Sequence, residues 1–304
     1  SKDFLLQLAL YFIDSDVIVD EKIANYFNVR ILAAPATLGL YVFIGWFLGM
    51  QNALLAMVVT IAVNIFNVFI SYYLVSSIGL ELSGVAYGTL AAQYLGLTLA
   101  FCLFLMVYRK GLSMDSFNHV TDMYAIKKFV SVNSDILIRT LCLIFSLSFF
   151  KIMSAKESDL IGAANILLLE FVVIAAYGID GFAFAAESIC GKYFGANDRV
   201  NLKKAIRYCF YWGFVLGVVY ASVYLIFGKN ILELLTNQVE VVIIAMQYLW
   251  WLIVFPILSV VAFVWDGVYI GLTSSRAMRN TMLLSTFGVF FPSYYLLAYL
   301  CGNH

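Results

Sequence analysis

Long apolar runs alternate with short polar connections along almost the whole chain. A helix needs about 20 mostly apolar residues to cross a bilayer, so runs of this length predict membrane-spanning helices. Residues 4–13 predict part of one further helix, and no segment has the alternation of a strand. The chain is therefore predicted to be an all-α integral membrane protein. The predicted spans lie at about 28–50, 53–77, 84–108, 128–153, 160–190, 207–227, 241–271 and 278–301.

Composition strengthens this prediction and removes several classes of function. Of 304 residues, 63% are hydrophobic and 12% are charged, and the mean hydropathy is +0.94. In soluble proteins about a quarter of the residues are charged. The formal net charge of zero gives no electrostatic basis for nucleic acid as a partner. The two histidines and five cysteines follow no metal-ligand spacing, so we expect neither a metal site nor a cofactor.

Basic residues are concentrated in alternate connections between the predicted spans. By the positive-inside rule these connections should lie in the cytoplasm. Connections on the opposite side contain only Lys22, Lys156 and Lys229. We therefore expect a multi-pass protein of the cell (inner) membrane with its basic loops in the cytoplasm. Those basic residues are Arg109, Lys110, Lys127, Lys128, Lys192, Arg199, Lys203, Lys204, Arg207, Arg276 and Arg279.

Two predicted spans share an internal pattern, and 222 residues separate the matching glycines. Each has a proline, then a Gly-x-x-x-Gly pair, then a polar turn. Glycines at this spacing also permit close helix packing, and a proline can act as a hinge, so either role can account for one copy alone. Because both copies enter from the outside and end at a cytoplasmic loop, we interpret them as a duplication. The residues are Pro35, Gly45 and Gly49 in the first copy, and Pro256, Gly267 and Gly271 in the second.

The duplication predicts a two-lobe organisation. Residues 109–127 are the longest polar segment and are interpreted as a cytoplasmic linker between the lobes. Residues 1–108 would hold the end of the third helix through the sixth helix of the first lobe. Residues 128–304 would form the second lobe without its last helix. With the same offset, about a hundred residues would precede this chain and one span would follow it, so we expect a fragment of a protein with about twelve spans.

Several stretches resemble the multidrug and toxic compound extrusion (MATE) family, and within it the DinF-like branch. The most specific are DGFAFAAE, from Asp180 to Glu187, and WDGVYIG, from Trp265 to Gly271. The resemblance implies two six-helix lobes around a cavity that opens alternately to each side. It also implies export of small organic compounds, often cationic or amphipathic, in exchange for protons or sodium ions. The resembling stretches are Tyr26 to Ala53, Asn64 to Gly96, Val132 to Leu143, Ala163 to Ala196 and Phe263 to Ser285.

Charged residues inside spans are the candidates for ion coupling, because each costs about 2.5–3.5 kcal/mol on insertion scales. Asp135 and Arg139 lie four residues apart and hence on one helix face. In one interpretation Asp135 belongs to a coupling-ion network in which Arg139 lowers its pKa. In the other the two form a static ion pair that orients the helix.

Four further carboxylates fall within spans. Asp180 and Glu187 are seven residues apart and share a face, and Glu170 lies about three turns before Asp180 on roughly the same side. Three carboxylates along one side of a helix suit a proton or sodium path, although Glu187 approaches the cytoplasmic end, where water alone would account for it. Asp266 lies within the repeated motif. It is either a functional carboxylate or one that bonds a neighbouring hydroxyl for packing.

The resemblance also implies a coupling site in the first lobe. Relatives build it from an acidic residue on the first helix together with Asn, Asp and Thr further on. Asn67 and Thr89 match, but the Asp position is Ser71 here, which shifts the expected ion site toward the second lobe. Asn67 could equally serve as a hydrogen-bonding contact between helices, worth about 0.6 kcal/mol.

Two other classes of function compete with an antiporter. A lipid-linked oligosaccharide flippase of related architecture needs a more cationic cavity than Arg139 alone provides in mid-span. An intramembrane aspartyl protease would need Asp180 and Asp266 as partners, and no GxGD motif is present, so we expect no enzymatic activity. The expected partners are small organic substrates and the lipid bilayer, and we expect a monomer.

Overall fold

The computed structural model describes residues 17–109 and 122–301, and within them the chain forms helices and no strands. The predicted partial helix at 4–13 and most of the predicted linker 109–127 lie outside these residues. The helices are α1 (Val17–Arg30), α2 (Ala34–Gly49), α3 (Ala53–Ser76), α4 (Glu81–Tyr108), α5 (Met123–Glu157), α6 (Asp159–Gly195), α7 (Arg199–Leu235), α8 (Val239–Gly271), α9 (Ser275–Leu283) and α10 (Phe291–Cys301).

Among the described residues, 7 helical stretches are long and apolar enough to cross a membrane. The first, Lys22–Gly49, combines α1 and α2, and the other six correspond to α3 through α8. The predicted span at 278–301 is also helical, since α9, a π-helical segment Leu284–Phe290 and α10 follow one another directly. The prediction of an all-α membrane protein is therefore confirmed.

Several helices extend beyond the apolar segments that predicted them. Helix α7 has 37 residues, whereas the apolar run predicted only 207–227. Its first turns are polar, and the Asp198 side chain caps them by accepting a hydrogen bond from the Asn201 backbone N–H at 3.0 Å. A hydropathy pattern detects only the part of a helix that is apolar. The N-terminal extension of α7 outside that run is capped by Asp198.

The chain divides into two compact units, one up to residue 120 and one from residue 121. In the first unit α4 packs against α1, α2 and α3. Small residues on α4 permit this, because a Cβ at Gly88 would lie 2.7 Å from the Ser71 Cα atom of α3. Leu40, Phe47 and Val59 form the buried centre between these helices.

In the second unit α8 is the central helix, with α6 and α7 packed against it. Pro256 is fully buried inside α8. A Cβ at Gly217 of α7 would lie 3.0 Å from the Pro256 carbonyl oxygen, so the absence of a side chain there lets α7 approach the helix backbone. Helix α5 contacts α6 and α9, and the Phe145 and Phe149 rings of α5 pack against Phe291 of α10.

The two motif copies end in turns of the same geometry. Gln51 and Thr273, 222 residues apart, both have a positive φ, at 60° and 52°. In each turn the residue that follows donates its backbone N–H to the carbonyl oxygen five positions back, Asn52 to Phe47 and Ser274 to Tyr269, both at 2.8 Å. The α6–α7 turn at Asn197 has the same pattern, so this turn recurs beyond the duplicated motif.

Prolines mark two interruptions of the helices. Pro35 stands in the first turn of α2, directly after a short 3-10 turn, Ile31–Ala33, that separates α2 from α1. Pro292 follows the π-helical segment. A proline removes a backbone donor and crowds the preceding turn, which accounts for a break at both places.

Candidate functional site

Asp135 of α5 is buried, with 3% of its surface exposed, and both of its carboxylate oxygens are hydrogen-bonded to α9. Ser275 Oγ donates to Asp135 Oδ2 at 2.7 Å, and Arg279 Nη1 donates to Asp135 Oδ1 at 2.6 Å. Arg279 is further held by Asn280, whose side-chain oxygen accepts hydrogen bonds from Nε and Nη2. A buried carboxylate is thus paired with a cation and a hydroxyl from one neighbouring helix.

Arg139, one turn further along α5, donates through Nη2 to Asp266 Oδ2 of α8. The expectation that Asp135 and Arg139 pair with each other is therefore wrong. Helix spacing brings them to one face, but each finds a partner on another helix. Arg279 and Ser275 are not among the sequence candidates, because the sequence pattern assigns Arg279 only to a basic cytoplasmic loop. Their spacing of four on one face of α9 was the available signal.

Two carboxylates of α6 lie near Asp266, on the part of α6 that packs closely against α8. Asp180 and Glu187 are partly buried, and Asp266 is close enough for its charge to act on both of them. The charge of Arg139 also acts on Asp180. Glu170, by contrast, is exposed on α6. The structure thus groups Asp180 and Glu187 with Asp266, and it leaves Glu170 apart from them.

Close packing of α8 on α6 produces this grouping. A Cβ at Gly267 would overlap the carbonyl oxygen of Ala183, and a Cβ at Gly271 would lie 2.5 Å from that of Glu187. Only glycine allows the backbones to come this close, and Asp266 immediately precedes Gly267. The glycines of the first copy differ, because a Cβ at Gly45 or Gly49 would meet no described atom within 4 Å.

The first-unit candidates meet where α3 crosses α4. Asn67 Nδ2 donates to Thr89 Oγ1 at 2.9 Å, and Thr89 Oγ1 donates to the Val85 carbonyl oxygen at 2.9 Å. Ser71 Oγ is buried against Gly88 and has no hydrogen-bond partner among the described residues. This geometry is that of a hydrogen-bonded contact between two helices, and the Ser71 hydroxyl takes no part in it.

Two further residues, which are not among the sequence candidates, have buried polar atoms with no described partner. Arg30 lies inside the Lys22–Gly49 span, and its Nη1 atom is buried. Thr286 lies in the π-helical segment and is 2% exposed, with its hydroxyl unpaired. Other helical threonines, such as Thr140 and Thr281, donate to a carbonyl four residues back, so the π-helical geometry sets Thr286 apart.

Within residues 17–109 and 122–301, no group of three His, Cys, Asp or Glu side chains is placed to hold a metal ion. The second-unit cluster instead offers three carboxylates and one guanidinium within membrane-spanning helices. If all of them are ionised, the cluster carries two surplus negative charges. Such a surplus of negative charge is expensive in a low-dielectric interior.

These features define a multi-pass α-helical membrane protein with a charged cluster inside its spans. A sequence model of the MatE family matches residues 136–296, which is more than half of the chain. The chain belongs to the MATE family.

Similar proteins agree with this assignment. DNA damage-inducible protein F of Escherichia coli (strain K12) is 29% identical over 304 residues, which cover 99% of this chain and 65% of that protein. Protein DETOXIFICATION 44, chloroplastic, of Arabidopsis thaliana is 19% identical over 285 residues, covering 94% of this chain and 53% of that protein. The chain is thus DinF-like, and it spans less than two thirds of the length of these relatives.

A solved structure has the same fold. The crystal structure of the Vibrio cholerae MATE transporter VcmN, in a mutant form, superimposes with a TM-score of 0.89 at 18% identity. The superposition covers 98% of this chain and 68% of that one. The MATE-type helical bundle predicted from the sequence is therefore confirmed.

Proposed function

We propose that this chain is part of a secondary active antiporter. It would export small organic compounds, often cationic or amphipathic, in exchange for protons or sodium ions, by alternating access between two lobes. Membership of the MATE family and the ion-pair cluster in the second unit support this proposal. We further propose that the parent protein acts as a monomer in the cell (inner) membrane with its basic loops cytoplasmic.

The observation that carries the proposal is the pairing of Arg139 with Asp266 beside two further carboxylates. Arg139 is a fixed internal cation, and an incoming proton or sodium ion competes with it for Asp266. When the ion binds, Asp266 no longer needs the guanidinium, and the contact between α5 and α8 is released. An ion that binds the released state better than the paired state shifts the protein toward it.

Asp180 and Glu187 would extend the site along α6. Both are partly buried, and both feel the charge of Asp266, so occupation of one carboxylate changes the electrostatic free energy of the others. An ion can therefore pass from the end of α6 that holds Glu187 toward Asp180 in steps.

The domain boundaries at 1–108 and 128–304 follow from the same proposal of two lobes.

The first test is transport by the full-length parent protein reconstituted in vesicles. Efflux of a fluorescent organic cation should accelerate under an imposed proton gradient or an imposed sodium gradient, compared with vesicles that have neither. Efflux that is equal under all three conditions would contradict ion-coupled antiport. The ion whose gradient accelerates efflux is the coupling ion.

A further inference from the structure

Helix α5 carries two opposite charges at the spacing that normally forms an ion pair within a helix. Asp135 and Arg139 are four residues apart, and this spacing brings their side chains into reach of each other. Yet both Asp135 oxygens are occupied by α9, and Arg139 is bound to Asp266 of α8. Neither side chain therefore uses the oppositely charged neighbour within α5 as its partner.

We propose that Arg279, assisted by Ser275, is a positioning residue for the Arg139–Asp266 pair. By neutralising Asp135, Arg279 prevents this carboxylate from capturing Arg139. The inference rests on the proposed role of Asp266 in ion coupling. It gives a function to a residue whose sequence position suggests only membrane orientation.

The burial of Asp135 makes this competition strong. The Asp135 side chain is 4% exposed, whereas the Arg279 side chain is 30% exposed. An ionised carboxylate that is buried and unpaired is strongly unfavourable, so without Arg279 the Asp135 carboxyl group either takes up a proton or pairs with another cation. The next guanidinium along the same face of α5 is Arg139. The charged groups around Asp266 are Arg139 from α5 and the two α6 carboxylates, Asp180 and Glu187, so no second described cation there would replace Arg139.

The α8–α9 turn makes the two pairs parts of one attachment. Asp266 lies before the turn at Leu272–Ser274, and Ser275 is the first residue of α9 after it. Helix α5 thus binds both sides of the turn, through Arg139 on one side and Asp135 on the other. If Asp135 changes its partner, we therefore expect the contact of Arg139 with Asp266 to change as well.

The test uses the full-length parent protein in vesicles and compares the pH dependence of gradient-driven efflux among variants. R279Q should displace the midpoint of the pH dependence of efflux by about one unit. Its pH dependence should match that of R139Q, since both variants leave Asp266 without its guanidinium partner. The double variant D135N/R279Q should return to the unmodified profile, because no carboxylate remains to capture Arg139. R279K should keep the unmodified profile, since it retains the charge.

Two further variants allow the positioning role to be tested if R279Q folds poorly. S275A removes one of the two hydrogen bonds to Asp135 and should shift the profile in the same direction as R279Q but less. R276Q, an exposed arginine three positions earlier on α9, should leave it unchanged. Thermal unfolding in detergent measures folding for each variant.

The results separate this proposal from the proposed function. If R139Q itself keeps the unmodified profile, the coupling role of the pair is wrong and the positioning role falls with it. If R139Q shifts but R279Q lowers only the rate, with its midpoint unchanged, Arg279 merely attaches α9 and the positioning proposal alone is overturned. A double variant that behaves like R279Q would overturn it as well.

Discussion

Asp135 and Arg139 lie one helical turn apart on α5, and each binds a residue of another helix instead of its neighbour. The carboxylate is bound to α9 and the guanidinium to α8. Two ion pairs thus attach α5 to the two helices that flank the α8–α9 turn. Both pairs involve residues within or beside membrane spans, where charged side chains are energetically costly. We therefore expect the arrangement to serve coupling or packing.

Asp180 is expected to be part of the coupling site, whereas Glu170 on the same helix is not. Asp180→Asn removes a carboxylate on which both Asp266 and Arg139 act, so gradient-driven efflux should fall by about tenfold or more. Glu170→Gln is the matched control, because Glu170 is exposed on α6. Equal losses in the two variants would mean that the three α6 carboxylates act together, as their spacing alone suggests.

The close crossing of α6 and α8 should depend on Gly267. Gly267→Ala places a methyl group against the Ala183 carbonyl oxygen, and we expect a loss of about 1–3 kcal/mol in the free energy of unfolding. Gly181→Ala is the control, since a Cβ there meets no described atom within 4 Å. Thermal unfolding of both proteins in detergent measures the difference. A variant at Gly267 as stable as the control would show that the helices are free to separate slightly.

The fold was largely predictable, because apolar run length alone indicates spans, and helix ends were missed where the helices continue into more polar sequence. The ion pairs were not predictable in the same way. The pattern predicted an Asp135–Arg139 pair from local spacing, but the actual partners lie 127 and 144 positions away in the sequence. Local spacing shows which residues can meet within one helix, but it carries no information on which helices lie beside it.

The glycine motif illustrates the same limit. For Gly267 and Gly271 the structure shows the close helix packing that small-residue spacing suggests. The same spacing at Gly45 and Gly49 predicts the same contact, yet no described atom lies where their side chains would project. The π-helical segment before Pro292 was likewise absent from the sequence predictions, because a proline predicts a break but not its geometry.

In the first unit, we expect the Asn67–Thr89 hydrogen bond to contribute to packing and not to ion coupling. A double-mutant cycle of Asn67→Ala and Thr89→Ala should give an interaction energy of about 0.6 kcal/mol in thermal unfolding. The gradient dependence of efflux should persist in both single variants. Its loss in Asn67→Ala would place the ion site in the first unit after all.

Asp198 should make the stability of α7 depend on pH. Hydrogen bonds from the Asn201 backbone and side chain, and the charge of Lys204, lower the pKa of Asp198 from its usual 3.8. A lowered folded-state pKa means that the carboxylate stabilises the helix above its usual pKa, and that this contribution is lost as pH falls through the folded value.

Asp198→Ala should therefore reduce the unfolding temperature at about pH 7 more than at about pH 3. Asp198→Asn keeps a capping oxygen without the charge, so its own capping contribution should not change between the two pH values. A deficit in Asp198→Ala that is equal at both pH values would show that the charge of Asp198 adds nothing to the cap.

The central claim is that Asp266 binds the coupling ion in competition with Arg139. The most direct measurement compares gradient-driven efflux by the Asp266→Asn and Glu240→Gln variants of the full-length parent protein, each reconstituted in vesicles. Glu240 is an exposed carboxylate in the first turn of the same helix, so it controls for loss of a negative charge on α8. The account predicts that Asp266→Asn no longer responds to either ion gradient, while Glu240→Gln responds as the unmodified protein does. A normal gradient response by a folded Asp266→Asn protein would contradict it.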